Sequence, residues 1–463
     1  MPMNQTAQKL LAVREHAVKQ GIKAALSLHQ EDSHLVRLAN SGVSLNTSEA
    51  LSRFSVTAYG DHKTATAQVM CDPDDQAALF EAVDKAGSML AYASMLSYQP
   101  TFPVIQETAI HQAGYDDKLA RISNEDILAY INQATKGLES DDVQLSGNFS
   151  VGKTLTIDLS TATEHYVAWQ ASDAQITLVL SSRKDKWEIN AEQSAACADD
   201  LNPGALRARL AFLKDKYQHC EAVRLPLGAY KVVFGAATTA EYLRFLTYLG
   251  VDGGMMKRDN SINSPEDIGK QRLSPQVTLW EDSDCLDAFA IPVDGFGRQR
   301  QPKAFYDKGV FNGFIWSQSA ADEYGQQATG HDVMHRSFRL EPGQMPVNDP
   351  EALSGLAARE GDLLYVPYLH YTGLVNASEG LITGTSRFGA LLFKQDGSVV
   401  VPFNVRFTEK LGSLFGDKLQ WLSTQTTPYN ISSTYDARDP EALVVPRLMC
   451  CDDVKVEISN KSY

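Results

Sequence analysis

Cysteine is scarce in this chain of 463 residues, and none of the six cysteines belongs to a C-x-x-C pair. Redox enzymes and zinc-binding modules commonly use such pairs, so the cysteines indicate neither class. Scattered cysteines without a pattern are usually free thiols inside a core. The adjacent Cys450 and Cys451 lie in a strand-like segment, and we predict that both are buried structural thiols.

Long apolar runs are also missing. No segment approaches the roughly 18 consecutive apolar residues of a membrane-spanning helix. The opening segment, MPMNQTAQKLLAVREHAVKQ, lacks the apolar centre of a signal peptide. We therefore expect no membrane insertion and a cytoplasmic location.

Positive charge is in deficit, because the formal net charge is -15. Such a charge repels phosphate backbones, and no basic stripe interleaved with aromatic residues stands out. We therefore expect that the chain does not bind nucleic acid directly. Its hydrophobic content of 43% is nevertheless enough to bury a substantial core.

The first half of the chain alternates between helical and strand-like patterns. The predicted helices are Gln5 to Lys19, Asp74 to Met95, Ser123 to Gly137 and Pro203 to Tyr217. The predicted strands are Ala24 to Leu28, His34 to Ala39, Arg53 to Ala58, Ala65 to Met70, Val143 to Ser150, Lys153 to Ser160, Glu164 to Ala171 and Asp173 to Leu180. Together these elements predict a mixed α and β architecture.

A change of composition follows the last of these helices, where Ala, Leu, Lys and Arg give way to Val, Gly and Pro. We place a domain boundary there, with an N-terminal α+β domain at residues 1–218 and a β-rich C-terminal domain at residues 219–463. A division of the first domain near residues 100–120 stays open, because Pro100 to Gln112 reads as a loop or crossover. The predicted fold class is α+β.

The order of apolar strands and glycine breaks from Gly361 to Gly416 is the most informative pattern in the chain. It includes T-G-T-S-R-F-G at residues 383–389, followed by an apolar strand from Val399 to Phe403. Upstream, LGAYKVVF at residues 227–234 precedes a predicted helix. In this collinear order the segments resemble the C-terminal domain of the TldD/PmbA family, over most of residues 220–463.

The resemblance has a consequence for catalysis. Metallopeptidase members of that family carry His-Glu-x-x-x-His on the helix after the Val-Val strand, whereas Thr238 to Tyr248 here reads TTAEYLRFLTY and has no histidine. Zinc needs three or four N, S or O ligands. The chain therefore resembles the PmbA (TldE) branch, whose members lack the motif and pair with a TldD subunit. The resemblance implies no catalytic residue, metal ligand or cofactor in this chain, and zinc in a TldD-like partner.

A rival metal site is the segment HDVMH at residues 331–335. If it were helical, His331 and His335 would share one face, as in the H-E-x-x-H zinc peptidases. The residues that follow alternate like a strand and end in the turn E-P-G at residues 341–343. We therefore favour loop or strand histidines on the surface, and keep substrate contact and a metal site as alternatives.

Polar side chains between the apolar strands of the C-terminal half are candidate substrate contacts, because such groups usually need a partner. They are His370, Tyr371, Asn376, Thr385, Ser386 and Arg387. Hydrogen bonding within turns is an equally good explanation for them.

The sequence and the resemblance together predict a motif-lacking, non-catalytic subunit of a TldD/TldE-type zinc metallopeptidase assembly in peptide processing or degradation. Its partners would be a TldD-like subunit, a second copy of itself, or both, and an extended peptide that adds to a sheet edge. One alternative is a homodimeric peptide-binding or scaffolding protein without a peptidase partner. A second is a metallopeptidase in its own right that uses His331 and His335.

Overall fold

The computed structural model describes residues 3–289, 291–331, 337–432 and 437–460. The N-terminal half is built from helices and long strands in the following order: α1 (Met3–Lys19), β1 (Ala24–Ala39), β2 (Gly42–Gly60), β3 (Lys63–Met70), α2 (Gln76–Met89), β4 (Ala109–His111), α3 (Asp117–Ala120), α4 (Asn124–Thr135), β5 (Val143–Ser160), β6 (Tyr166–Ser182), β7 (Glu188–Ala195) and α5 (Pro203–His219).

These strands form one sheet in the order β3-β2-β1-β5-β6-β4, and β7 pairs with β6 beside that path. Four strands have 16 to 19 residues, longer than the usual 3–10. Helices α1 and α2 pack on the sheet through a shared apolar core that includes Leu10, Phe54, Leu79 and Ile157. Burial of alternate strand residues against the two helices fixes the register of this sheet.

The first part of the C-terminal half contains short strands and several helices: β8 (Ala222–Val223), β9 (Gly228–Gly235), α6 (Ala236–Gly250), α7 (Gly253–Lys257), β10 (Leu279–Glu281), β11 (Lys303–Asp307), β12 (Val310–Phe311), α8 (Gln318–Tyr324), β13 (Phe338–Leu340) and α9 (Leu353–Glu360). Strands dominate the remainder: β14 (Leu363–Val366), β15 (Tyr368–Asn376), β16 (Leu381–Arg387), β17 (Leu391–Phe393), β18 (Val399–Pro402), β19 (Asn404–Lys410), α10 (Leu411–Leu414), β20 (Leu419–Leu422), β21 (Thr426–Asn430), β22 (Ala442–Pro446), β23 (Leu448–Val456) and β24 (Ile458–Asn460).

Three sheets surround α6 in this half. Their strand orders are β12-β11-β10-β13-β22-β21, β20-β23-β9-β14-β17-β18-β8 and β15-β16-β19-β24. Helix α6 is buried on most of its sides, as expected of a helix inside a core. Leu243 and Leu246 are fully buried, and the ring of Tyr242 meets that of Phe234 edge-on at 5.3 Å. Cys450 and Cys451 on β23 are both fully buried, as predicted.

The two halves share a continuous apolar core. Phe149 and Leu210 of the first half lie in one buried cluster with Val233, Tyr365 and Phe393 of the second. The domain boundary predicted at residue 218 falls at the end of α5 and stays a prediction. None of the described helices has the length and apolar character needed to cross a membrane.

The predicted α+β class is confirmed, and so are the predicted helices, with shifted ends. The largest shift is in α2, which ends at Met89 and not at Met95. Tyr92 and Met95 are 91% and 69% exposed. Tyr92 and Met95 therefore lack the apolar contact that stabilises a helix in a protein.

The predicted division of the long strands is wrong. Ala24 to Ala39, Val143 to Ser160 and Tyr166 to Ser182 are each one unbroken strand. Polar residues and a glycine at residues 29–33, 152 and 172–173 resembled turns. In the structure they lie side by side in three adjacent strands, where they receive an arginine from the C-terminal half.

That arginine is Arg438, which is 3% exposed. Its Nε donates to Asp173 Oδ1 at 2.7 Å and its Nη2 donates to Asp173 Oδ2 at 2.9 Å. Its Nη1 donates to Ser150 Oγ at 2.9 Å, and its backbone N–H donates to Glu31. Because two parallel charge-assisted bonds are strong and directional, this arrangement, here called the Arg438 latch, ties the two halves together.

Glu31 of the latch is held in its ionised form. Burial opposes its ionisation, but hydrogen bonds from His29 and from the Arg438 backbone outweigh burial and hold the pKa of Glu31 below its ordinary value. Glu31 therefore accepts the backbone N–H of Arg438 as an ionised carboxylate.

Candidate functional site

Helix α6 lies where the family resemblance would place metal ligands, but its side chains do not supply the ligands that zinc needs. It offers one carboxylate, Glu241, and neither histidine nor cysteine. The hydroxyls of Thr238 and Thr239 donate to backbone carbonyl oxygens. Within the described ranges, no group of three or more His, Cys, Asp or Glu is arranged to hold a metal ion. A zinc site with three or four protein ligands therefore cannot be built on this helix.

A polar strand face borders the same region. Alternate residues of β7 point to opposite sides, so Ile189 and Ala191 lie in the core while Glu188, Asn190 and Glu192 share the other face. In the described part of the sheet, β7 pairs with β6 alone. One edge of β7 is therefore unpaired beside this polar face.

Two of the predicted substrate residues, Arg387 and His370, contact each other beside Glu188. Arg387 donates to Glu188 Oε2 through Nε at 3.1 Å and Nη2 at 2.8 Å, and its Nη1 lies 3.2 Å from His370 Nδ1. A guanidinium has no acceptor, so Nδ1 accepts and the imidazole proton lies on Nε2. Burial and the charge of Arg387 lower the pKa of His370, which keeps it neutral at pH 7. His370 can therefore donate one further hydrogen bond, from Nε2.

Tyr371 and Thr385 lie beside this group. Tyr371 is 79% exposed, has a backbone φ of 52°, and its ring centroid is 3.9 Å from that of His370. The β15 to β16 register shifts at this point. Thr385 lies opposite His370 in the same hairpin. The structure thus brings together His370, Tyr371, Thr385 and Arg387.

Ser386 and Asn376 are placed differently. Ser386 is fully buried, and its Oγ accepts the backbone N–H of Val405 at 2.9 Å. Asn376 lies at the far end of β15, where its Nδ2 donates to Glu379 at 3.1 Å within a turn. Both side chains make the local bonds that were the alternative to substrate contact. A substrate role for any of the six residues stays a prediction.

Acidic and phenolic groups gather where β7, α6, β15 and β21 approach one another. Burial raises the pKa of Glu192 to about 7. Burial also raises the pKa of Tyr368 and of Tyr429, with a smaller contribution from the charges of Glu192 and Glu241. Glu192 is therefore divided between its two protonation states near neutral pH and can donate or accept a hydrogen bond.

A cavity of about 670 Å³ lies between β7, the start of α6 and β21. Asn190, Glu192, Arg209, Gly235 and Tyr429 are among its lining residues. This volume lies in the range of small-ligand sites. We call the cavity, together with the adjoining strip of β7 that reaches Glu188, the β7 cleft.

The predicted surface position is wrong for His331, which is buried and bonded to other groups. His331 is 5% exposed, and its Nε2 lies 3.1 Å from Glu281 Oε2 and 3.0 Å from the carbonyl oxygen of Gln301. Burial lowers the pKa of His331. It lines a second cavity of about 840 Å³ between the N-terminal sheet and residues 291–331. His335 lies outside the described residues, so the predicted pair remains untested.

The contribution of the N-terminal half to the β7 cleft was not predicted from the sequence. No strand was predicted at residues 188–195, although EINAEQSA alternates polar and small or apolar residues with the period of a strand. Glu188, Asn190 and Glu192 could have been found from that alternation. Their closeness to α6 could not have been predicted, because it depends on the packing of the two halves.

Comparison with known proteins supports the fold. Residues 227–457 match the family model described as the PmbA/TldA metallopeptidase C-terminal domain. No curated protein matches the sequence.

Similar solved structures span nearly the whole chain. TldE from Thermococcus kodakarensis has a TM-score of 0.78 and 15% sequence identity, covering 97% of this chain and 99% of that one. A candidate modulator of DNA gyrase from Thermotoga maritima has a TM-score of 0.75 and 14% identity, covering 97% and 99%. A protein of the same description from Bacteroides thetaiotaomicron has a TM-score of 0.75 and 15% identity, covering 98% and 99%. At these identities the likeness shows a common fold.

Proposed function

Since the chain belongs to the TldD/PmbA family through the C-terminal domain formed by residues 227–457, we propose that it is the motif-lacking, non-catalytic subunit of a cytoplasmic zinc metallopeptidase assembly. It binds peptides that a TldD-like partner cleaves. The observation that carries this proposal is the donor set of α6, which is unsuited to zinc although a polar cleft lies beside it.

Peptide binding is supported by two strand edges near the cleft. In the described sheets, β7 and β15 each pair with a single neighbour. An extended peptide can add to such an edge through backbone hydrogen bonds, while side chains of the surrounding surface select its sequence. His370 and Arg387 stand beside one of these edges and supply hydrogen-bond donors to the bound chain.

Association with a partner is supported by the surface of β15. Tyr371, Leu374 and Val375 are 79%, 41% and 55% exposed on this edge strand. Exposed edges with apolar side chains tend to pair with another chain. We propose that this edge contacts a TldD-like subunit or a second copy of the chain.

Binding to DNA or to its enzymes is not part of the proposal, although two similar structures are described as candidate gyrase modulators. The formal charge of -15 disfavours contact with a phosphate backbone.

A peptidase assay of each subunit and of their mixture, with and without chelator, tests the proposal. The chain alone is expected not to cleave unfolded or short peptides, because α6 cannot activate water through a metal. The mixture is expected to cleave faster than the partner alone and to stop when chelator is added. Chelator-sensitive cleavage by this chain alone would refute the proposal. A mixture no faster than the partner would favour the scaffolding alternative.

A further inference from the structure

A buried amide at the floor of the β7 cleft lacks a partner. Asn190 is 6% exposed, and its Nδ2 has no hydrogen-bond acceptor among the described residues. Asn190 lines the cavity of about 670 Å³. A buried amide N–H₂ without an acceptor costs free energy, so an acceptor supplied by a ligand would be favourable here.

The N-terminus of α6 opens into the same cavity. Gly235 is the N-cap of this 15-residue helix and supplies no side chain to cap it. Gly235, Ala236 and Ala237 line the cavity. The first backbone N–H groups of a helix have no acceptor within the helix, and they carry about half a positive charge. They form a natural site for an anionic group.

Two side chains add further donors at this point. A Cβ placed on Gly235 would lie 3.3 Å from the hydroxyl oxygen of Tyr365, so that hydroxyl lies against the helix end. Arg209 Nη1 donates to the same oxygen at 3.2 Å, which leaves the hydroxyl hydrogen for another acceptor. Burial raises the pKa of Tyr365, which keeps the hydroxyl protonated.

The acidic residues of the cavity limit the charge of the anion. Asp349 is 3.8 Å from Arg209 Nη2 and 3.3 Å from Arg447 Nη1, so it neutralises part of the positive charge. Glu351 and Glu192 also line the cavity. A dianion such as a phosphate monoester would meet these carboxylates, whereas a singly charged carboxylate fits the balance of charges.

We propose that this cavity binds the C-terminal carboxylate of a peptide, with the N-terminus of α6, Tyr365 and Asn190 as hydrogen-bond donors. The inference rests on the proposed peptide-binding function and adds the direction of the peptide. Its C-terminal end lies at α6, and the preceding residues follow β7 towards Glu188 and His370.

The test measures binding of one fluorescent hexapeptide in two forms, one with a free C-terminal carboxylate and one with a C-terminal amide. The full-length chain is titrated into each form, and binding is followed by fluorescence anisotropy. The acid is expected to bind about tenfold more tightly than the amide, because bonds to a charged acceptor are the stronger ones.

The variant Asn190→Asp has nearly the size of the native side chain but replaces its donor by a second acceptor. It is expected to weaken binding of the acid about tenfold while leaving the amide within about twofold. Asn46→Asp, on an exposed part of β2, is the matched control and is expected to change neither affinity. Circular dichroism is used to check that both variants fold.

The outcomes separate the two proposals. Equal affinity of acid and amide, or an equal loss for both in Asn190→Asp, overturns carboxylate recognition and leaves peptide binding intact. Failure of the wild-type chain to bind either form overturns peptide binding itself, and carboxylate recognition with it. A tenfold preference that disappears in Asn190→Asp and persists in Asn46→Asp supports the inference.

Discussion

Changing Arg438 to alanine is expected to weaken the contact between the two halves of the molecule. The change removes the guanidinium that makes two parallel bonds to Asp173, which is 1% exposed. Removing one partner of a buried ion pair leaves the other charge uncompensated and costs about 3–5 kcal/mol. We therefore expect Arg438→Ala to lower the free energy of unfolding by about that amount.

Three further variants isolate the cause. Gly152→Ala is expected to destabilise the same region, because its new methyl group would lie 2.8 Å from Arg438 Nε and from Ser33 Cβ. The double change Arg438→Met with Asp173→Asn removes both charges and is expected to recover much of the lost stability. Lys410→Ala is the control, since its ion pair with Glu379 is about half exposed and contributes about 0–1 kcal/mol.

Urea denaturation followed by circular dichroism measures these differences, and limited proteolysis shows whether the halves come apart first. An Arg438→Ala variant within about 0.5 kcal/mol of the wild type would refute the role given to the latch. A double variant as unstable as Arg438→Ala would refute the charge-based explanation.

Three other expectations concern the metal and the β7 cleft. After zinc reconstitution, elemental analysis is expected to find no stoichiometric zinc, because α6 offers one carboxylate; one zinc per chain that is lost in His331→Ala would contradict this. The folded pKa of Glu192, about 7, exceeds its ordinary 4.5, so stability should fall as pH rises from about 4.5 through 7, by at most about 3 kcal/mol. Glu192→Gln should remove that loss. The prediction is refuted if the difference in urea stability between variant and wild type is the same at pH 4 and at pH 8. Arg387→Ala and His370→Ala should each weaken peptide binding about tenfold with unchanged circular dichroism; an unchanged affinity would assign both to structure alone.

Local patterns in the sequence predicted the helices well, because amphipathic spacing and caps act over a few residues. The Ser123 cap of α4 is an example, since its hydroxyl accepts the N–H of Asp126 as the sequence suggests. The family resemblance covered the C-terminal half, where strand order and glycine breaks are specific.

The long strands were not predictable in the same way. Glu31, Gly152 and Asp173 look like turn residues when each is read with its neighbours. Their burial is explained by Arg438, which is 265 residues from Asp173 in the chain. Distant partners of this kind leave no local periodic signal, and for the same reason the approach of β7 to α6 was missed.

The separation in the chain between Arg438 and its partners also affects how the protein is made. The carboxylate of Asp173 leaves the ribosome 265 residues ahead of its arginine. At 5–20 residues per second, the N-terminal sheet waits roughly 13–53 s with an acidic pocket still unfilled. During that interval the carboxylate of Asp173 has no Arg438 to pair with, so the latch forms only after residue 438 has been made. Synthesis of the C-terminal half therefore sets the earliest time at which the two halves can be joined by the latch.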